Sequence, residues 1–183
     1  MSNKTIFTNY LKELYAIATQ GDAREESFYS ALSVMLTAVA EEKGRAHVRV
    51  TTLPKQTDAG NPDFRLWNGT DHIIGYVEAK KPTDENLDLI EDSEQLRRYR
   101  ETFPNLILTN FLEFRLYRNG VRVDTVLAAR PMVLNRLRTL PPLEKTDELA
   151  PCLTAFWISR CLNPSQPNPW RLNWPNAPAF CVT

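Results

Sequence analysis

The stretch "NPDFRLWNGTDHIIGYVEAKKP", from Asn61 to Pro82, decides how the chain is read. Its halves, PDFRLW and HIIGYVEA, are apolar runs of strand length joined by Asn68-Gly69-Thr70-Asp71. Asn-Gly between such runs is a strong hairpin signal, because both residues tolerate the positive φ of a tight reversal. Pro82 ends the second strand, since it has no amide to give a ladder. The hairpin brings Asp63, near the start of one strand, close to Glu78, near the end of the other, with Lys80 and Lys81 alongside. Residues two apart in a strand share a face, so Glu78 and Lys80 point one way and Ala79 the other. The run IIGYV marks a central strand, where terminal charges are less casual than on an edge.

Neighbouring carboxylates repel unless a cation lies between them. Mg²⁺ takes a few carboxylate oxygens, waters and a substrate phosphate. Asp63, Glu78 and the backbone carbonyl of Ala79 are the candidate ligands, with Mn²⁺ as the expected substitute. A lysine beside such an ion orients an attacking water or helps deprotonate it. The metal lowers the water's pKa and stabilises charge on the phosphate. This is a set of groups suited to phosphodiester hydrolysis. The plain alternative is a solvated rim of opposite charges, because PD dipeptides and ExK triplets are common.

Working outward, residues 4–20 carry Ile6, Phe7, Tyr10, Leu11, Leu14 and Ile17 at helical spacing, and Gly21 stops that helix. Asp22 is placed to cap a second helix, with Glu25 as its capping-box partner. Phe28, Leu32, Met35, Leu36 and Val39 form the apolar face of that helix. Its phase turns Glu25 inward and Glu26 outward with Ser30 and Ser33. An inward Glu25 either completes the capping box or reaches a buried cation.

After Gly44 the period changes to two, and HVRVTTL reads as a strand over 47–53. Beyond the hairpin, residues 85–103 return to helical spacing and Pro104 stops them. Gln95 and Tyr99, four apart, share a face that can overlook Glu78. NLILTN (105–110) is a short apolar strand, and residues 112–127 form a second hairpin around Asn119-Gly120. A helix between strands is a crossover, so strands 72–79 and 105–110 are expected to be parallel. The order predicts an α/β (α+β) fold, a mixed sheet flanked by helices, with the core order αβββαβ.

Residues 1–130 therefore read as the domain. Residues 131–183 read as a connector, a helix over 144–161 and a tail rich in proline and tryptophan, with Trp170 and Trp174 available for docking. The formal net charge is zero, so a polyanion partner is not announced globally and any nucleic-acid surface is local. Lys55, Lys81 and Arg98 are the candidate phosphate contacts, with Arg97, Arg100 and Arg118 behind them. The three cysteines lack metal-site spacing and read as reduced thiols of a cytoplasmic protein. No apolar run reaches the ~18 residues of a membrane span.

The segments REESFYSAL, NPDFRLW, GYVEAKKP, EQLRRYRE and LILTNFLEFRLYRNG follow one another in this order. Together they resemble the PD-(D/E)XK nuclease superfamily over about residues 20–128. They are most similar to the nuclease region of bacterial restriction enzymes that fuse a nuclease to an adenine methyltransferase. The resemblance implies a restriction-endonuclease-like fold and Mg²⁺-dependent cleavage of DNA. It implies metal binding by Asp63 and Glu78 and catalysis by Lys80. It matches Glu25 to the acidic residue of the preceding helix, and Gln95 and Tyr99 to the QxxxY motif after the active-site strand. NPDF and NPSQ are not methyltransferase signatures, and no glycine-rich cofactor loop appears. A methyltransferase or specificity domain, in the same or another chain, is the expected partner besides DNA, and no membrane is. The alternative is a catalytically inactive DNA-binding or assembly module on the same fold.

Overall fold

The computed structural model describes residues 1–70 and 72–158. The tail with Trp170 and Trp174, the cysteines Cys161 and Cys181, and Asp71 of the first hairpin turn lie outside the described residues. The N-terminal half runs α1 (Asn3–Thr19), one 3₁₀ turn (Glu25–Phe28), α2 (Tyr29–Glu42), β1 (Arg49–Thr52), β2 (Phe64–Trp67) and β3 (Ile73–Ala79). The rest runs α3 (Leu87–Glu91), α4 (Glu94–Thr102), β4 (Asn105–Thr109), β5 (Glu113–Arg118), β6 (Val121–Leu127), α5 (Pro131–Asn135) and α6 (Thr146–Trp157).

The six strands form one mixed sheet in the order β1-β2-β3-β4-β5-β6. Only β3 and β4 are parallel, as the crossover requires. Both hairpins form at the expected turns, where Gly69 and Gly120 take φ of +83° and +80°. Helices cover both faces of the sheet, giving the restriction-endonuclease-like α/β class. On one face, Phe64, Val77, Ala79, Ile107 and Phe114 pack with the apolar stripes of α1, α2 and α6. On the other, Leu106, Leu108 and Tyr117 pack with Leu87, Leu96, Tyr99 and Phe103 of the crossover. Removing each such large side chain from water contributes about 1.5–3 kcal/mol.

Two expectations change in detail. The crossover is not one helix over 85–103 but two short ones. Asn86 Oδ1 accepts the Asp88 amide of α3 (2.9 Å), and Ser93 Oγ accepts the Leu96 amide of α4 (3.3 Å). A serine that caps a new helix ends the old one, because the cap residue takes extended backbone angles. The stretch after Arg130 is also not all connector, since Pro131 opens α5 at the first helical position, where its missing amide costs nothing.

The back of β3 is closed by α6. Asn105 Nδ2 donates to the carbonyls of Ile74 (2.8 Å) and Phe156 (2.7 Å), which ties β3, β4 and α6 together. Gly75 sits beneath this junction. A Cβ there would lie 2.6 Å from the Asn105 carbonyl oxygen and 2.8 Å from the Phe156 ring, so only glycine fits.

Candidate active site

The register of the first hairpin sets the site. Phe64 stands opposite Val77, which leaves Asp63 beside Glu78 at the end of the sheet. Asp63 is held from three sides. Its carbonyl accepts the Leu53 amide (2.7 Å), Oδ2 accepts the Ala79 amide (2.8 Å), and Oδ1 accepts the Tyr29 hydroxyl (2.6 Å). The Lys80 amide donates to the Thr109 carbonyl (2.8 Å), extending the β3–β4 ladder past the last strand residue. Backbone bonds therefore fix where Glu78 and Lys80 project. As the two-residue period requires, Ala79 is buried in the α1–α2–α6 core and Glu78 lies on the other face with Lys80.

Glu78 is only 2% exposed. Its Oε1 accepts Lys80 Nζ at 2.6 Å, while Oε2 is buried and meets no hydrogen-bond donor. Burial, then the charge of Asp63, pushes the Glu78 carboxyl up to about 7, against the pull of Lys80. Burial opposes the charge on Lys80, but Glu78, Glu25 and Asp63 outweigh it and hold the ammonium above its ordinary range. Burial also raises Glu25, with Lys80 opposing and Asp63 adding to the rise. Lys80 is thus paired with Glu78, and the charges of Glu25 and Asp63 also act on it.

Glu25 is half-buried and Glu26 exposed, which is the phase read from the sequence. The expected Asp22–Glu25 capping box is not formed; the box that forms is between Arg24 and Ser27. The 3₁₀ turn is capped at Arg24, whose amide donates to Ser27 Oγ (3.1 Å), so neither Asp22 nor Glu25 serves as the cap. A 3₁₀ turn tightens the helix entry and frees Glu25 to lie against Tyr29, whose hydroxyl is 3.2 Å from Oε1. That hydroxyl has one proton for two carboxylates, and the shorter contact is the one to Asp63.

Tyr29 is the site residue that sequence reasoning missed. At helical spacing it reads as a core aromatic, and its ring does pack on Phe64, with centroids 4.9 Å apart. Only the strand register reveals that its hydroxyl bridges two acids. Gln95 Nε2 donates to the Tyr99 hydroxyl (3.3 Å) over the Glu78 face of the sheet. Tyr99 is buried, and burial raises its phenol, with the charges of Glu78 and Asp63 adding to the rise. Lys55 and Lys81 are exposed, and so is Arg98, whose Nε donates to the Ala59 carbonyl (2.6 Å). Arg100 pairs with Glu91 and Arg118 donates to the Ala155 carbonyl, so both are engaged within the fold.

Among the described residues, no group of three or more His, Cys, Asp or Glu side chains is set as a ready cation site. The reason is visible in the contacts: Lys80 occupies one oxygen of Glu78, and Tyr29 spans Asp63 and Glu25. The donor chemistry nonetheless fits a hard cation, since the orphaned Glu78 Oε2 lies beside a second carboxylate and wants positive charge. Among the described residues, no helix is long and apolar enough to cross a membrane.

No family model matches the chain, and no curated protein matches it. A chain in the cryo-electron-microscopy structure of a DrdV–DNA complex is similar to it, with a TM-score of 0.63 and 24% identity. The likeness covers 86% of this chain and 14% of that one. It shows the fold, and this chain spans only a small part of the length of that one.

Proposed function

We propose that the chain is a Mg²⁺-dependent DNA endonuclease of restriction type. One observation carries the reading: buried Glu78 pairs with Lys80 at 2.6 Å beside the charges of Asp63 and Glu25, and its other oxygen lacks a donor. The likeness to a chain solved with DNA agrees with it.

Asp63, Glu78 and the Ala79 carbonyl would hold the ion, with Glu25 reaching it directly or through a water. The ion would supply a lowered water pKa and positive charge for the phosphate. The residues do the rest. Lys80, kept protonated by its three acidic neighbours, donates to a phosphate oxygen or orients the water. Positive charge placed on those acids weakens their hold on the lysine proton, so its pKa falls and it becomes a better proton acceptor. Tyr29 fixes Asp63 and Glu25, and Gln95 and Tyr99 line the approach on the α4 side. Lys55, Lys81 and Arg98 contact phosphates. The hydrolysis exchanges one phosphodiester for a phosphomonoester and a hydroxyl.

All the proposed site residues lie within residues 1–130, and a methyltransferase or specificity domain, in the same or another chain, completes the assembly in the cytoplasm. The test is incubation with plasmid DNA in Mg²⁺, Mn²⁺ and EDTA. Nicking or linearisation in either metal and none in EDTA is the expected result. Binding of DNA without cleavage in either metal overturns the nuclease reading and leaves a catalytically inactive DNA-binding module on the same fold.

A further inference from the structure

A cleft of about 350 Å³ opens between the α1–α2 connection, the residues after β3 and the α5 region. Arg24, Lys81 and Arg138 line it, and no carboxylate does. All three cations are exposed. Five arginines elsewhere, Arg100, Arg115, Arg122, Arg130 and Arg136, each contact an acid, whereas among the described residues Arg24, Lys81 and Arg138 form no ion pair. In a chain of zero net charge, three like charges around one hollow repel each other, and an anion relieves that repulsion.

The cleft adjoins the carboxylate cluster through the covalent chain itself. Arg24 precedes Glu25, and Lys81 follows Lys80, so each cation is one residue, about 3.8 Å along the backbone, from a site residue. The rest of the lining includes the half-buried Tyr15 and the apolar side chains of Phe28 and Leu134. A charged rim over an aromatic and apolar wall suits a phosphate joined to a base. The volume sits at the low end for ligand pockets and is far too small for a duplex.

We propose that this cleft seats one unpaired nucleotide of the DNA strand beside the cutting site, with its phosphate on Arg24, Lys81 and Arg138 and its base against Tyr15. The inference rests on the nuclease reading, because the carboxylate cluster is what brings a DNA strand to the mouth of the cleft. It adds to that reading a preference among DNA substrates, for a strand with an unpaired nucleotide beside the cutting site: a frayed end, an overhang or a displaced strand.

The test is fluorescence anisotropy in EDTA, so that binding is read without cleavage. The probes are a labelled duplex with a short thymidine overhang, the same duplex with an abasic overhang, and the blunt duplex. Wild type should prefer the thymidine overhang over the blunt duplex by roughly tenfold, with most of the preference lost on the abasic probe. Tyr15→Leu should lose the preference while keeping blunt-duplex affinity. The triple variant Arg24→Gln, Lys81→Gln, Arg138→Gln should lose the preference and flatten the salt dependence by about two units of slope. The control triple Lys4→Gln, Lys12→Gln, Lys145→Gln should keep the preference.

Equal affinity of wild type for the three probes overturns the proposal, and so does a full overhang preference in the cleft triple variant. A wild type that never cuts DNA in Mg²⁺ or Mn²⁺ but shows the preference sinks the nuclease reading and leaves the cleft. A wild type that cuts but binds all three probes alike does the reverse.

Discussion

Two clusters of charge stand on this sheet, and they are built on opposite terms. Around Arg115 on β5 the charges close on themselves. Its guanidinium contacts Glu113 (2.6 Å), Asp88 (2.7 Å) and Glu91 (2.7 Å), while Arg100 and Arg122 add their own bonds to Glu91. Three arginines meet three acids. At the end of β3, by contrast, Lys80 pairs with Glu78 alone while Asp63 and Glu25 add negative charge nearby, and one Glu78 oxygen is left without a donor. The first cluster ties α3 to β5 and β6 and needs nothing from outside. The second holds an excess of negative charge against the pull of burial, which is the state expected of a site that takes up a cation.

The sharpest way to break this comparison is to damage each cluster and read both activity and stability. Lys80→Ala, Asp63→Ala and Glu78→Ala should each lower cleavage by about a hundredfold or more while far-UV circular dichroism is unchanged. A Lys80→Ala protein that cuts plasmid at the wild-type rate would remove this cluster from the chemistry. Arg115→Leu should do the opposite. It strands acids in a partly buried place, so thermal or urea denaturation should report a loss of about 3–5 kcal/mol. The folded fraction should still cut at close to the wild-type rate.

A smaller effect separates Glu25 from Glu26. Glu25→Gln keeps the shape and removes one negative charge from the cluster. The Mg²⁺ concentration for half-maximal cleavage should rise on the order of tenfold, as for other groups that orient ligands. Melting temperature should hold or rise, because an inward carboxylate is relieved. Glu26→Gln should match wild type in both measurements. Identical Mg²⁺ curves for the two variants would take Glu25 out of the site.

The smallest expected effect is one of pH. Glu78 has a folded-state carboxyl near pH 7, above the ordinary carboxylate range. A raised acid favours the folded protein fully below its unfolded pKa, and that contribution is lost as pH rises through about 7. A cation competes with the same proton, so Mg²⁺ affinity should weaken by up to about tenfold per pH unit below that point. Isothermal titration at several pH values reads this directly. An affinity flat from below to above neutrality would show that Glu78 does not exchange a proton for the ion.

The contrast also explains what the sequence makes legible. Asp63, Glu78 and Lys80 lie on two strands joined by an Asn-Gly turn, so a period of two and a hairpin register place them together. Strand order was readable for the same reason, since β3 and β4 flank a single crossover. Tyr29 was not readable, because an aromatic in an apolar helix face looks the same whether or not its hydroxyl finds a partner. The Arg115 network hid in LEFRLYR, where alternation suggests an outward arginine, while α3 in fact covers that face. The split of the crossover was present in Ser93, but an apolar period running across it masks the cap. The inward phase of Glu25 is legible, but of its two readings the cap is the one the structure does not form, because a four-residue signature cannot tell an α-helical cap from a 3₁₀ entry.

Gly75 carries a consequence for anyone who would shorten the protein. The strand that carries Glu78 has the carbonyl of Asn105 and the ring of Phe156 pressed against Gly75, so α6 serves as its backing plate. A chain cut after residue 130 would keep every proposed site residue and lose that plate. The part of that sheet face that α6 covers would then be open to solvent and prone to stick to its own copies. Such a fragment is expected to accumulate as insoluble protein, and its silence in a cleavage assay would say nothing about the carboxylates.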